Sequence, residues 1–134
     1  MASAAQIPST RTMAPIDRAL AHLRKAGRRA ILIVDTGCGD GALLLRAAKR
    51  AAAFGFVAVE ALGFDRSPAH IAAARAAARG CADARLGPEF HLRKAGDPLP
   101  LDGEADLILA APGEDSPAAL ARAAHPSGTI LNHR

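Results

Sequence analysis

The stretch that decides the fold is Ala30-Ile31-Leu32-Ile33-Val34-Asp35-Thr36-Gly37-Cys38-Gly39-Asp40-Gly41. Ala30 to Val34 is apolar without alternation, so a strand built from it must be covered on both faces. Such strands sit inside parallel sheets flanked by helices. Asp35 ends the run and Gly37 to Gly41 breaks it. Ala42 to Ala53 then reads as an amphipathic helix, with Leu44, Ala47, Ala48 and Ala51 on one face and Arg46, Lys49 and Arg50 on another.

A helix precedes this strand–turn–helix unit, and the unit recurs after it. Upstream, Pro15 suits a first helical turn, Ile16, Leu20 and Leu23 recur at helical spacing, and Gly27 can close the end. Downstream, Val59 to Phe64 predicts a second strand ending at Asp65, and Ser67-Pro68 opens an Ala-rich helix to Gly80. Phe90 to Arg93 offers a short third strand and Ala105 to Ala110 a fourth. Ser116-Pro117 starts a short helix to about Ala124, and Thr129 to Leu131 is a fifth strand. Strands alternating with helices imply right-handed βαβ units in an open, Rossmann-like α/β parallel sheet. The expected domain covers 15–134, preceded by a flexible N-terminus over 1–14.

Composition narrows the function classes. The chain has 134 residues, a single domain's worth, and is 50 % hydrophobic, which excludes a disordered charged tail. Its longest uncharged, largely apolar run, Ala51 to Val59, has nine residues, half of what a membrane span requires. Residues 1–34 hold six Lys/Arg against one Asp, a basic segment best read as a solvated helix face. Trp and Tyr are absent, so the aromatic platforms that stack single-stranded nucleic acid are missing and nucleic acid is disfavoured as a ligand. Cys38 and Cys81 have no metal-type spacing and predict reduced thiols in a cytoplasm. The five histidines form no i, i+4 pair, so no metal site is expected.

In open parallel sheets, ligands bind beyond the carboxyl ends of the strands. The segment Asp35 to Gly41 lies there, and two ligand classes fit a glycine turn leading into a helix. Gly37-x-Gly39-x-x-Ala42 formally matches the dinucleotide fingerprint, in which a pyrophosphate rests on the helix start. Charge argues against it. Asp35 and Asp40 flank the turn, and two like charges 4 Å apart repel by about 4 kcal/mol at an effective dielectric of 20. Two carboxylates suit a ligand whose loop-facing end is cationic.

On these residues the chain resembles the class I S-adenosylmethionine-dependent methyltransferases. Ile31 to Gly41 is similar to their first motif, a hydrophobic strand followed by Asp/Glu-x-Gly-x-Gly-x-Gly. The resemblance implies that Asp35, Gly37, Cys38, Gly39 and Gly41 hold the amino-acid end of S-adenosyl-L-methionine. Gly63-Phe64-Asp65-Arg66-Ser67-Pro68 resembles the second acidic motif, which implies that Asp65, with Arg66 beside it, meets the ribose hydroxyls. Gly96-Asp97-Pro98 looks like the third, implying that Asp97 and Pro98 face the adenine, and Ala105 to Ala110 resembles the fourth strand, with Ala110 at the cofactor end. Pro126-Ser127-Gly128 followed by Thr129 to Leu131 is similar to the Pro-Gly turn and fifth strand. The likeness runs from about Ala30 to Leu131.

Two departures bear on activity. The family core has seven strands, and five are expected here in the order 3-2-1-4-5, which leaves the fifth at an edge for a second copy or a partner chain to cover. Ala111-Pro112-Gly113-Glu114-Asp115 also lacks the Asn/Asp-Pro-Pro-Tyr/Phe sequence of amide-nitrogen methyltransferases. The resemblance therefore implies a methyltransferase with an unidentified, small-molecule acceptor. The alternatives are a non-catalytic cofactor-binding module that needs a partner chain and, behind it, a nicotinamide-dependent oxidoreductase. No catalytic residue is identified: sulfonium methyl transfer rests on positioning more than on acid–base chemistry. Cys38 between two glycines is considered as a helix-start nucleophile and set aside for want of a partnered histidine.

Overall fold

A computed structural model describes residues 2–133, with side chains from residue 13 onward. Five strands, β1 (Ala30–Asp35), β2 (Ala58–Asp65), β3 (Leu86–Leu92), β4 (Ala105–Ala110) and β5 (Ala124–Asn132), form one sheet. Every pairing is parallel and the order is β3-β2-β1-β4-β5. Four helices, α1 (Ala2–Lys25), α2 (Ala42–Ala53), α3 (Pro68–Arg79) and α4 (Pro117–Ala123), complete the fold. This is the expected Rossmann-like α/β architecture, and the expected strand order.

Alternation within the central strands builds two cores. Ile31 and Ile33 of β1 and Leu107 and Leu109 of β4 point to one face, where Ile16, Leu20 and Leu23 of α1, Leu44 of α2 and Ile71 of α3 pack on them. Val34 and Ile108 point to the other face, covered by Ala123 and Leu120 of α4 and by Leu99 and Leu101. Every residue of β4 is buried, so its apolar residues need no alternation, and its one charged residue, Asp106, is paired with Arg28 and accepts from Leu32 N–H. Among the described residues no helix is long and apolar enough to cross a membrane.

Three boundaries differ from the sequence reading. β3 begins at Leu86 rather than Phe90 and ends before Arg93. Gly87 and Pro88 argue against a strand, but β3 pairs only with β2, and an edge strand tolerates a proline whose missing N–H faces away from the ladder. β5 begins at Ala124 rather than Thr129, because the ladder with β4 resumes after a register shift between Ala105 and Leu107 that absorbs Pro126 and Ser127. Pro15 lies inside α1 rather than in its first turn, since proline removes only its own donor and the alanine-rich sequence ahead of it favours helix. In the segment expected to be flexible, 1–14, the described backbone from Ala2 belongs to α1, and the side chains up to residue 12 lie outside the described residues.

Candidate cofactor site

β1 and β2 are central neighbours whose last residues, Asp35 and Asp65, both sit at the carboxyl edge of the sheet. Between them the chain makes a turn whose backbone favours glycine at several positions. Gly39 has φ +56° and Gly41 φ +84°, left-handed values that cost an L-residue about 1–2 kcal/mol. A side chain at Gly41 would also press on Ala74 and Phe90 at 3.0 Å, so this glycine lets α2 and α3 close on the turn. A side chain at Gly37 would strike Ala111 at 2.6 Å, so Gly37 lets the segment after β4 approach. Gly39 has open space above it. The turn is therefore anchored at its ends and free in its middle.

The acids are wired to that turn. Gly39 N–H donates to Asp65 Oδ1 at 3.1 Å, and Gly37 N–H donates to Asp35 Oδ1 at 3.2 Å. Asp65 Oδ2 accepts from Ser67 N–H at 3.0 Å and from His70 Nδ1 at 2.9 Å. Burial pushes the Asp65 carboxyl up, but the hydrogen bonds from Ser67, His70 and Gly39 outweigh it and leave its pKa lowered. Asp35 is fully buried. His133 Nε2 donates to its Oδ1 at 2.7 Å, while Oδ2 is buried with no partner. Burial pushes the Asp35 carboxyl above its ordinary range against the opposing pull of His133, and the bond to Asp35 pushes His133 up in turn.

A cleft of about 300 Å³ opens beside the turn, lined by Thr36, Gly37, Asp65, Arg66, Ser67, His70, Arg93 and Glu114. Arg66 Nη2 donates to Glu114 Oε2 at 2.6 Å across its mouth. On its floor Arg93 is buried and makes a two-pronged pair with Asp115, 2.8 Å on each prong, while also donating to the carbonyls of Thr36 and Asp97. Arg93 thereby ties the ends of β1 and β3 to the segment after β4, and its guanidinium lies 5.5 Å from the Phe64 ring centre. A second hollow, about 190 Å³, lies over Leu32, Ala61, Leu62 and Gly87 on the sheet's open face, away from the strand ends.

Of the residues singled out by sequence, Gly37, Asp65 and Arg66 line the cleft, and Gly39 bonds to Asp65. Asp35 lies sealed beneath His133. Cys38 is buried, and burial together with the Asp35 and Asp65 carboxylates pushes its thiol up to about 12, which removes it as a nucleophile. Ala110 is buried at the end of β4, where its carbonyl accepts from His133 N–H at 2.8 Å. Asp97 closes a turn on Lys94 N–H at 3.0 Å, exposed and outside the cleft lining, and Pro98 borders a different hollow with Leu101 and Arg122.

Sequence reasoning passed over His70, Arg93, Glu114 and His133. His70 had a signal, since it follows Asp65 by five positions in the first turn of α3. His133 had none: it reaches Asp35 only because the chain crosses the end of β4.

No protein-family model matches the sequence, and no curated protein does. Solved structures do. The chain is similar to an S-adenosylmethionine-dependent methyltransferase from Methanosarcina mazei (20 % identity, TM-score 0.59, 78 % of this chain and 52 % of that one). It is similar to another from Aquifex aeolicus (19 % identity, TM-score 0.59, 78 % and 56 %). It also matches a protein whose structure describes conversion of a disulfide bond into a thioacetal group during echinomycin biosynthesis (30 % identity, TM-score 0.54, 85 % and 48 %). The chain spans about half the length of these three structures. With its sheet order and its acid–glycine turn, it has the class I S-adenosylmethionine-dependent methyltransferase-like fold.

Proposed function

We propose that the chain binds S-adenosyl-L-methionine in the cleft beside the glycine turn and Asp65, with Asp35 buried behind that turn, and serves methyl transfer to a small-molecule acceptor. The observation that carries this is the orphaned, buried Oδ2 of Asp35 beside a glycine turn with open space above Gly39. A buried carboxylate oxygen without a donor is costly, and a cationic ligand group would satisfy it. Asp35 and the Gly37–Gly39 backbone would hold the aminoacyl end and Asp65 the ribose. Bound there, the cofactor supplies an activated sulfonium methyl group. The protein's own part is to bind, orient and exclude water, with Arg93 and Asp115 holding the cleft floor rigid.

The nicotinamide-dinucleotide reading is weaker for a local reason. The N–H of Ala42, at the start of α2, is already taken by Asp40 Oδ1 at 3.0 Å, so a carboxylate sits where a pyrophosphate would rest. The second alternative is a non-catalytic binding module that holds the cofactor and needs a partner chain for transfer. The free thiols Cys38 and Cys81 favour the cytoplasm.

Calorimetry with S-adenosylhomocysteine and with NAD tests the ligand class: binding of the first alone is expected, and binding of NAD alone would overturn it. Incubation with methyl-labelled cofactor and a cell extract then separates transfer from binding. Label in a small molecule is expected, and none with any extract fraction would leave the binding module.

A further inference from the structure

The pairing of Asp35 with His133 has a consequence for any cationic ligand. Asp35 lies fully buried, and the His133 side chain, 23 % exposed, is its only side-chain partner among the described residues. The second carboxylate oxygen has no donor. A cation that satisfied Oδ2 would thus share one buried carboxylate with a histidine able to carry a proton on Oδ1. We propose that His133 is a gate on the aminoacyl end of the cofactor site: as an imidazolium it holds Asp35 in the free protein, and it gives up its proton when the ligand's ammonium pairs with the same carboxylate.

This rests on the S-adenosylmethionine reading and adds to it a residue and a proton. The balance is simple. Imidazolium paired with carboxylate, plus ligand ammonium, becomes neutral imidazole, an ammonium–carboxylate pair and one proton released to solvent. No covalent bond to carbon changes. Two cations cannot share the buried Asp35 cheaply, since like charges in contact in a partly buried site repel by several kcal/mol. The bond to Asp35 raises the His133 pKa and so favours its charged form, which gives the exchange its cost.

Other charges facing the site come from four elements. Asp65 at the end of β2 is coulombically felt by Asp35. His70 in the first turn of α3 is bound to Asp65, Arg93 beyond β3 donates to the Thr36 carbonyl next to Asp35, and Asp115 before α4 pairs with Arg93. Asp65 and His70 concern the ribose end, so a ligand with the same nucleoside and no aminoacyl group reports on them alone.

The test compares S-adenosylhomocysteine, which carries the ammonium, with 5′-methylthioadenosine, which lacks it, by calorimetry from about pH 5.5 to 8.5. The ratio of the two Kd values should rise about tenfold for each unit of pH below the His133 pKa, read by NMR on the same protein. S-adenosylhomocysteine should release up to one proton more than methylthioadenosine. His133→Lys, a permanent cation, should bind S-adenosylhomocysteine weakly with a flat ratio throughout. If both ligands bind the native protein and the ratio is flat, the gate is wrong while the cofactor reading stands. If neither binds at any pH, the cofactor reading falls and takes the gate with it.

Discussion

His133 Nε2 stands 2.7 Å from Asp35 Oδ1, although 98 positions separate the two residues. The contact joins the end of β5 to the end of β1 across β4, and it gives the free protein a pH dependence of its own. His133 is raised in the folded chain, so its contribution to stability is complete below the ordinary histidine value of 6.5. That contribution is lost as pH rises through the higher folded-state value. Thermal melts of native protein and His133→Gln should therefore converge as pH climbs above about 6.5. A constant gap between the two curves would show that the pair contributes nothing as an ion pair.

A second prediction concerns Asp65. Its Oδ1 already accepts from Gly39, and its Oδ2 from Ser67 and His70, leaving about one of four acceptor positions free. A ribose that makes two bonds there must displace His70, which is more than half exposed and free to swing away. Asp65→Ala should weaken S-adenosylhomocysteine binding at least tenfold, given about 1.5–3 kcal/mol per hydrogen bond to a charged group. His70→Ala should bind at least as tightly as the native protein. Weaker binding by His70→Ala would assign the imidazole to the ligand rather than to the apo carboxylate.

The sequence made the central elements legible and the edges less so. β1 and α2 carry unbroken apolar or amphipathic patterns, β4 departs from one only at Asp106, and the structure begins and ends all three within a residue of the expected positions. β3 and β5 are edge strands with one pairing partner each, and Pro88, Pro126 and Gly128 blur their patterns. At the site, Asp35, Gly39 and Asp65 were legible because a turn between strand and helix needs its glycines and brings its acids along. Arg93 and His133 were not, since their partners Asp115 and Asp35 lie 22 and 98 positions away. Only tertiary structure brings such pairs together.

Gly39 tests the turn itself. Its left-handed φ penalises any side chain, while the space above it is open, so strain and ligand exclusion can be separated. Gly39→Asn, which tolerates this backbone region, should fold with little loss of melting temperature. Gly39→Val should melt lower. Both should lose S-adenosylhomocysteine binding by at least tenfold. Normal binding by a folded Gly39→Asn would mean that the ligand does not pass over this glycine.

Arg93 and Asp115 test the cleft floor. Both side chains are less than one-tenth exposed, and Arg93→Met would leave the Asp115 charge buried and unpaired. Such a loss costs about 3–5 kcal/mol, a large part of the stability of a small domain. Arg93→Met combined with Asp115→Leu should recover most of it, because no charge is then left stranded. Urea melts of the two single variants and the double variant give the coupling. Additive losses would show that the two side chains do not act as a pair.

The edge at β5 carries the last prediction. Nine residues long and paired only with β4, it leaves Ile130 39 % exposed on a strand whose outer edge has no strand partner among the described residues. Exposed edges of this kind template pairing with another chain. Sedimentation at increasing concentration should show self-association of the isolated chain, and Ile130→Lys should suppress it by placing a charge on the edge. S-adenosylhomocysteine, by binding the folded form, should raise the melting temperature of both proteins alike. A native chain that stays monomeric at every concentration would show that Pro126 and the bulge after Ala105 already protect the edge.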